Sequence, residues 1–187
     1  MPAEFQSAVH DFQRGDAMNL EQDIERIALQ EKRLQFESFD SRTAWEIGHR
    51  LKAAAEQRGV SVAIDISLHG FPLFFYAMPG TTPSNCDWVR RKRNLVALMH
   101  RSSYAVGLSL ERDKTTLDAK MGLPLRDYAP HGGCFPILLR NTGCVGTITV
   151  SGLPQRKDHE LVVAILADYS RVPLEEVALD APDSHSA

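Results

Sequence analysis

The residues best suited to chemistry lie in three short stretches. "DWVRRKRN" at 87–94 carries Lys92, "HGG" at 131–133 carries His131, Gly132 and Gly133, and "TVSGLPQRKDHELVV" at 149–163 carries Ser151, Gly152, Asp158 and His159. On a helix at 100° per residue, Trp88, Lys92, Leu95 and Met99 share one face, while Arg90, Arg93 and Asn94 point the other way and read as a solvated surface. Lys92 therefore interrupts an apolar stripe. A lone cation there either extends its ammonium to water at the rim or is buried beside a partner, where it can hold a carboxylate or another anion.

The glycine pair offers two positions free to adopt positive φ, which gives either a plain tight turn into a strand or amides that approach a ligand closely. His131 beside it can donate, accept or ligate a metal. At the third stretch a strand hands over to a helix. There Asp158 can cap the first free amides or, lying in line with Val162, Ile165 and Tyr169, form the inner edge of a pocket. His159 falls nearer Leu166. The start of a helix also favours anions.

Two familiar chemistries fit poorly. Ser151, Asp158 and His159 are close in sequence, but "TVSGL" is not the G-x-S-x-G elbow and near neighbours rarely share triad geometry. His69, His100, His131 and His159 show no H-x-x-x-H pairing, and Cys86, Cys134 and Cys144 are isolated, so no metal site is expected. No catalytic residue is assigned.

The elements that must position these residues follow from periodicity. Leu20, Ile24, Ile27 and Leu34 recur at helical spacing after Asn19, a potential cap. Ser41 introduces a second helix that Gly59 ends, with Ala44, Ile47, Gly48, Leu51, Ala54 and Ala55 on one face. Val60–Ser67 and Pro72–Met78 flank "LHG" as a hairpin, with Val60, Val62, Ile64 and Ile66 on one side. A helix over "CDWVRRKRNLVALMHRSS" takes Ser84 or Asn85 as its N-cap, and another runs from Ser103 to about Glu111. "HGGCFPILL" and "GCVGTITVSG" are strands around the turn "RNTG". A last helix runs from Asp158 to about Ser170, or from Pro154 as its first residue. The pattern is α+β, an antiparallel sheet covered by helices.

The 187 residues, 43% of them hydrophobic, suit one domain with a true core. Residues 1–18 read as an N-terminal arm, 19–172 as a single domain and 173–187 as a tail. A formal charge of −3 argues against nucleic acid as a partner. No apolar run resembles a signal peptide or a membrane span, and the odd cysteine count suits a reducing compartment, so a cytoplasmic protein is expected.

"AWEIGHRL", "DWVRRKRN", "HGGCFPILL" and "VGTITVSGLPQRKDHELVV", in this order, resemble the haem-degrading domain family, which includes a secreted haem-binding sensor partner and GlcG-type proteins. The resemblance is nearest to an uncharacterised cytoplasmic subgroup and covers residues 20 to about 172. It implies a profilin-like α-β-α sandwich, with an antiparallel sheet of about five strands and helices on both faces, assembled as a homo-oligomer. It also implies binding, and in some members slow degradation, of haem or a related tetrapyrrole. Carried over by position, the ligand-binding residues are Lys92, Gly132, Gly133, Ser151, Gly152 and Asp158. His131 and His159 belong to the subgroup's version of the motifs. No C-x-x-C-H attachment motif is present, and the sequence assigns no axial histidine.

Two functions are therefore expected as alternatives. One is an oligomeric binder of a tetrapyrrole or a small anionic ligand, in a pocket among the hairpin, the Lys92 helix and the "HGG" and "SGL…DH" loops, with Lys92 or arginines facing propionates. The other is a non-catalytic oligomeric scaffold. Trp45, off the main apolar face of its helix, is the candidate interface residue.

Overall fold

The structure, a computed structural model, describes residues 19–180; the expected N-terminal arm and the last seven residues of the tail lie outside the described residues. Eleven elements follow in order: α1 (19–33), α2 (Ser41–Gln57), β1 (Ala63–Leu68), β2 (Phe71–Ala77), α3 (Pro83–Met99), α4 (Ser103–Arg112), α5 (Leu117–Met121), β3 (Cys134–Leu139), β4 (Gly143–Ser151), α6 (Gln155–Ser170) and α7 (Leu174–Val177).

The strands form one antiparallel sheet in the order β2-β1-β4-β3. Helices cover both faces, as expected, but the sheet has four strands and not about five. At the outer edge of β3, among the described residues, the position a fifth strand would take is met only by the single residue Phe36. Its amide donates to the Leu138 carbonyl at 2.8 Å, and its carbonyl accepts from the Arg140 amide at 2.9 Å.

The two faces differ in chemistry because side chains alternate along a strand. Val62, Ile64, Ile66, Ile148, Val150, Phe135 and Ile137 belong to the main core beneath α2 and α6. The opposite face carries Asp65, Ser67, Thr147 and Thr149, all buried under α3. A sheet with one dry and one polar side would ordinarily expose the polar side to water; here α3 covers it. Two smaller clusters complete the packing. Ile24 and Ile27 of α1 meet Tyr104, Ala105 and Leu108 of α4, and Leu95 of α3 meets Val106, Leu110 and Leu117.

Several boundaries differ from the sequence reading. Asp40, not Ser41, caps α2 through its carboxylate and the Thr43 amide at 2.8 Å. Thr82 is the N-cap of α3, and Asn85 is the third residue of a capping box, so Pro83 takes the first helical position that suits its fixed φ. α6 begins at Gln155 with Pro154 outside it as N-cap. Residues 174–177, read as tail, form α7, whose Val177 is fully buried and whose Val177 carbonyl accepts from Gln30 Nε2 at 2.7 Å. The β1–β2 hairpin turns on His69 and Gly70, both at positive φ, the backbone of a tight two-residue hairpin. No helix among the described residues is long and apolar enough to cross a membrane.

Candidate functional site

α3 crosses the polar face of the sheet and brings Lys92 over the end of β4, where α6 begins. Lys92 Nζ donates to Asp158 Oδ2 at 2.9 Å and to the Val150 carbonyl at 3.2 Å. The side chains of both members are almost wholly buried, at 4% and 1% exposure. Burial pushes the Asp158 carboxyl above its usual range, against the pull of Lys92 and of two amides. Those amides are Leu153 N, at 2.9 Å from Oδ1, and Gly152 N, at 3.4 Å from Oδ2. Asp158 thus closes the loop that leads into α6 and does not cap the helix's own first amides. The ion pair ties α3, β4 and α6 together at one point.

Three of the motif glycines make this closeness sterically feasible. Gly133 has φ +117°, and a Cβ there would lie 2.8 Å from Asp158 Cβ and 2.9 Å from Lys92 Nζ, with the Val150 carbonyl oxygen nearer still. A Cβ on Gly132 would meet the Gln155 carbonyl, and one on Gly152 the Ser61 carbonyl. The Gly132 amide is held by Gln155 Oε1 at 3.4 Å. The "HGG" and "SGL" glycines accordingly serve close backbone packing around the ion pair.

Beside the pair lies an open groove of about 230 Å³, walled by Trp88, Lys92, His131, Ser151, Leu153 and Asp158. His131 stands exposed with its ring edge-on to Trp88, at 4.9 Å between centroids. The Arg91 guanidinium lies over the Trp88 ring, 3.9 Å from its centroid. Partial desolvation, then the positive charges of Lys92 and Arg91, hold the His131 imidazole below its usual pKa, so it is neutral at neutral pH. A neutral imidazole at an open groove can accept a proton or a metal bond.

Six of the eight residues singled out from sequence converge here: Lys92, His131, Ser151, Gly152 and Asp158 in the groove wall, and Gly133 in contact range of the ion pair. Gly132 packs one residue away. His159 does not join them. It turns to the opposite side of α6, fully buried, with Nε2 2.8 Å from Gln30 Oε1 and its ring near Tyr104 and Phe135. Burial pulls its pKa down to about 3. The helical wheel sets Asp158 and His159 on different stripes, since successive residues on a helix diverge by about 100°; the expectation that His159 nonetheless belongs to the ligand site is not met, given its burial against Gln30.

Trp88 is the wall residue sequence reasoning undervalued; its spacing of four from Lys92 already placed it on the same helical face. The remaining "RRKR" arginines are not a loose solvated surface. Arg90 pairs with Asp87 and Asp127, Arg91 with Asp87, and Arg93 with Asp65.

Comparison with known proteins agrees with this architecture. Residues 39–167 match the family model "Haem degrading protein HbpS-like". The chain is 64% identical over 163 residues to a UPF0303 protein of Azotobacter vinelandii, covering 87% of this chain and 98% of that one. It is 51% identical over 160 residues to a UPF0303 protein of Serratia proteamaculans, covering 86% and 99%. Among solved structures, Ybr137w superposes with a TM-score of 0.74 at 29% identity, over 79% of this chain and 87% of that one. The PduOC:heme complex superposes with a TM-score of 0.54 at 20% identity, over 65% and 91%. With a model match spanning most of the fold described above, and near full-length relatives at this level of identity, the chain belongs to the haem-degrading HbpS-like family.

Proposed function

We propose that this protein binds a tetrapyrrole such as haem, with the Trp88–His131 groove as the contact site. The observation that carries the reading is His131: an exposed imidazole, kept neutral, standing on the rigid Gly132–Gly133 turn against an aromatic wall. Neutral imidazole is a common protein donor to haem iron, and Trp88 and Leu153 supply apolar contact for a macrocycle. Family membership supports the choice of ligand, and a distant fold relative, PduOC, crystallised as a haem complex. Haem, when bound, brings its own redox chemistry.

The groove supports holding a ligand more than transforming it. Asp158 is committed to Lys92 and two amides, and His159 lies on the far side of α6, so the groove has no acid–base pair of the two. Lys92 is likewise committed, and a propionate could recruit it only at the cost of a buried ion pair. A smaller anionic ligand would meet the same barrier. Arg90 and Arg91 of α3 are engaged with Asp87 and Asp127, which weighs against a phosphate-binding stripe for nucleic acid. Free thiols at Cys86, Cys134 and Cys144 suit the cytoplasm. Titration of the purified chain with haem tests the reading: a saturable, shifted Soret band is expected, and a spectrum that remains that of free haem at all ratios would refute it.

A second reading, assembly into a homo-oligomer, rests on three exposed aromatics around one sheet edge. Trp45 is 64% exposed, Phe71 69% and Phe75 51%, the last two on edge strand β2. Such a patch is costly to leave in water, and its burial between subunits is compatible with ligand binding at the groove.

A further inference from the structure

A second cavity, of about 430 Å³, opens between the later turns of α3 and the β1–β4 end of the sheet. It shares no lining residue with the Trp88 groove. Its floor is the polar face of the sheet. Ser67 and Thr147 sit opposite each other on β1 and β4, both nearly fully buried, with hydroxyl oxygens 3.3 Å apart. Beneath them, Asp65 accepts from Ser67 Oγ at 3.2 Å and from Arg93 Nη1 at 3.1 Å.

This chain of bonds is directional. The Ser67 proton goes to Asp65, so the 3.3 Å contact is made by the Thr147 hydroxyl donating to Ser67 Oγ, and Thr147 keeps a lone pair, not a proton, for the cavity. The bond to Asp65 also fixes the guanidinium of Arg93, which lines the cavity, and leaves Nε and Nη2 without a partner among the described residues. His69 and His100 stand on the rim, each on a backbone held at positive φ. Cys144 completes the wall as a neutral thiol, since burial raises its pKa. No lining residue bears a carboxylate. Placing Asp65, Ser67 and Thr147 out of water is costly.

We propose that this cleft is a second ligand site, taking a small organic carboxylate whose oxygens are met by Nε and Nη2 of Arg93, with His69 and His100 at the entrance. Guanidinium is well matched to the paired oxygens of a carboxylate. The polar lining, with Arg93 and no aromatic ring apart from the two rim histidines, suits a small acid and not an apolar macrocycle, so the two sites take different ligands.

The test uses the full chain and a rim position that bears no structural bond. Ala97 is exposed and lines the cleft, so Ala97→Glu adds a negative charge at the mouth and Ala97→Gln adds the same bulk without charge. Binding of pyruvate, lactate, malonate, succinate and inorganic phosphate is followed by calorimetry and by amide chemical shifts. At least one carboxylate is expected to saturate with shifts at Thr147 and Gly146, about tenfold more weakly in Ala97→Glu than in Ala97→Gln. Absence of saturable carboxylate binding, equal affinity in the two Ala97 variants, or saturation by phosphate alone would overturn the assignment. Haem titration reads the other groove, so the two proposals fail separately.

Discussion

Lys92 Nζ and Asp158 Oδ2 lie 2.9 Å apart at a point where both side chains are almost wholly shut off from water. Lys92 belongs to α3 on one face of the sheet and Asp158 to α6 on the other, so this contact fastens the two helical layers across the end of β4. Breaking one member leaves a buried charge without its partner. Asp158→Leu and Lys92→Met are each expected to destabilise by about 3–5 kcal/mol, and Lys92→Met/Asp158→Leu by clearly less than their sum. Urea denaturation of the four proteins measures this. Additive losses would show that the pair is not coupled.

Gly133 makes room for that pair. Gly133→Ala puts a Cβ onto the Val150 carbonyl, Asp158 and Lys92 at φ +117°, and is expected to cost at least about 2 kcal/mol. Gly59, at φ +65° with open space around it, provides the control: Gly59→Ala should cost only about 1 kcal/mol, the backbone penalty alone. Equal losses in thermal or urea denaturation would remove the steric argument.

Much of this was legible in the residues. The apolar stripe of α2, the hairpin turn at "HG" and the alternation in β1 follow from spacings of 3.6 and 2, and Lys92 stood out because it broke such a stripe. Asp65 was not legible. Alternation with Ile64 and Ile66 assigns it to the second face of the sheet, and nothing local says that α3 will cover that face. The wheel sets His159 apart from Asp158, but nothing local says that Gln30 of α1 will claim its ring, and its place among the site residues followed from the shared motif alone. The fifth strand was implied by family resemblance alone, and the single-residue bridge from Phe36 is too short to carry a strand pattern.

His159 ties stability to pH. Its pKa is about 3 in the fold, below the ordinary value of 6.5, so between those values the unfolded chain binds a proton that the folded chain refuses. This contribution is complete above pH 6.5 and is lost as pH falls towards 3. The raised carboxyls of Asp158 and Asp65 act in the opposite sense. Between about pH 7.5 and about pH 5, the wild type is expected to lose about 2 kcal/mol more than His159→Gln. Identical slopes in denaturation at the two pH values would contradict the buried neutral imidazole.

Exposed aromatics at the β2 edge link assembly to sequence. Light scattering of the wild type is expected to give a mass above one chain, and the double variant Trp45→Ser/Phe71→Glu a smaller one, because both side chains are more than half exposed in the single chain. A monomeric wild type would rule out the edge as a self-association surface.

Haem titration of His131→Ala beside the wild type and His159→Gln tests whether His131 meets the bound tetrapyrrole. The wild type and His159→Gln should show the same saturable Soret shift, while His131→Ala should bind about tenfold more weakly or give a spectrum without the imidazole-bound band. An unshifted wild-type spectrum, or an His131→Ala titration indistinguishable from that of the wild type, would contradict it.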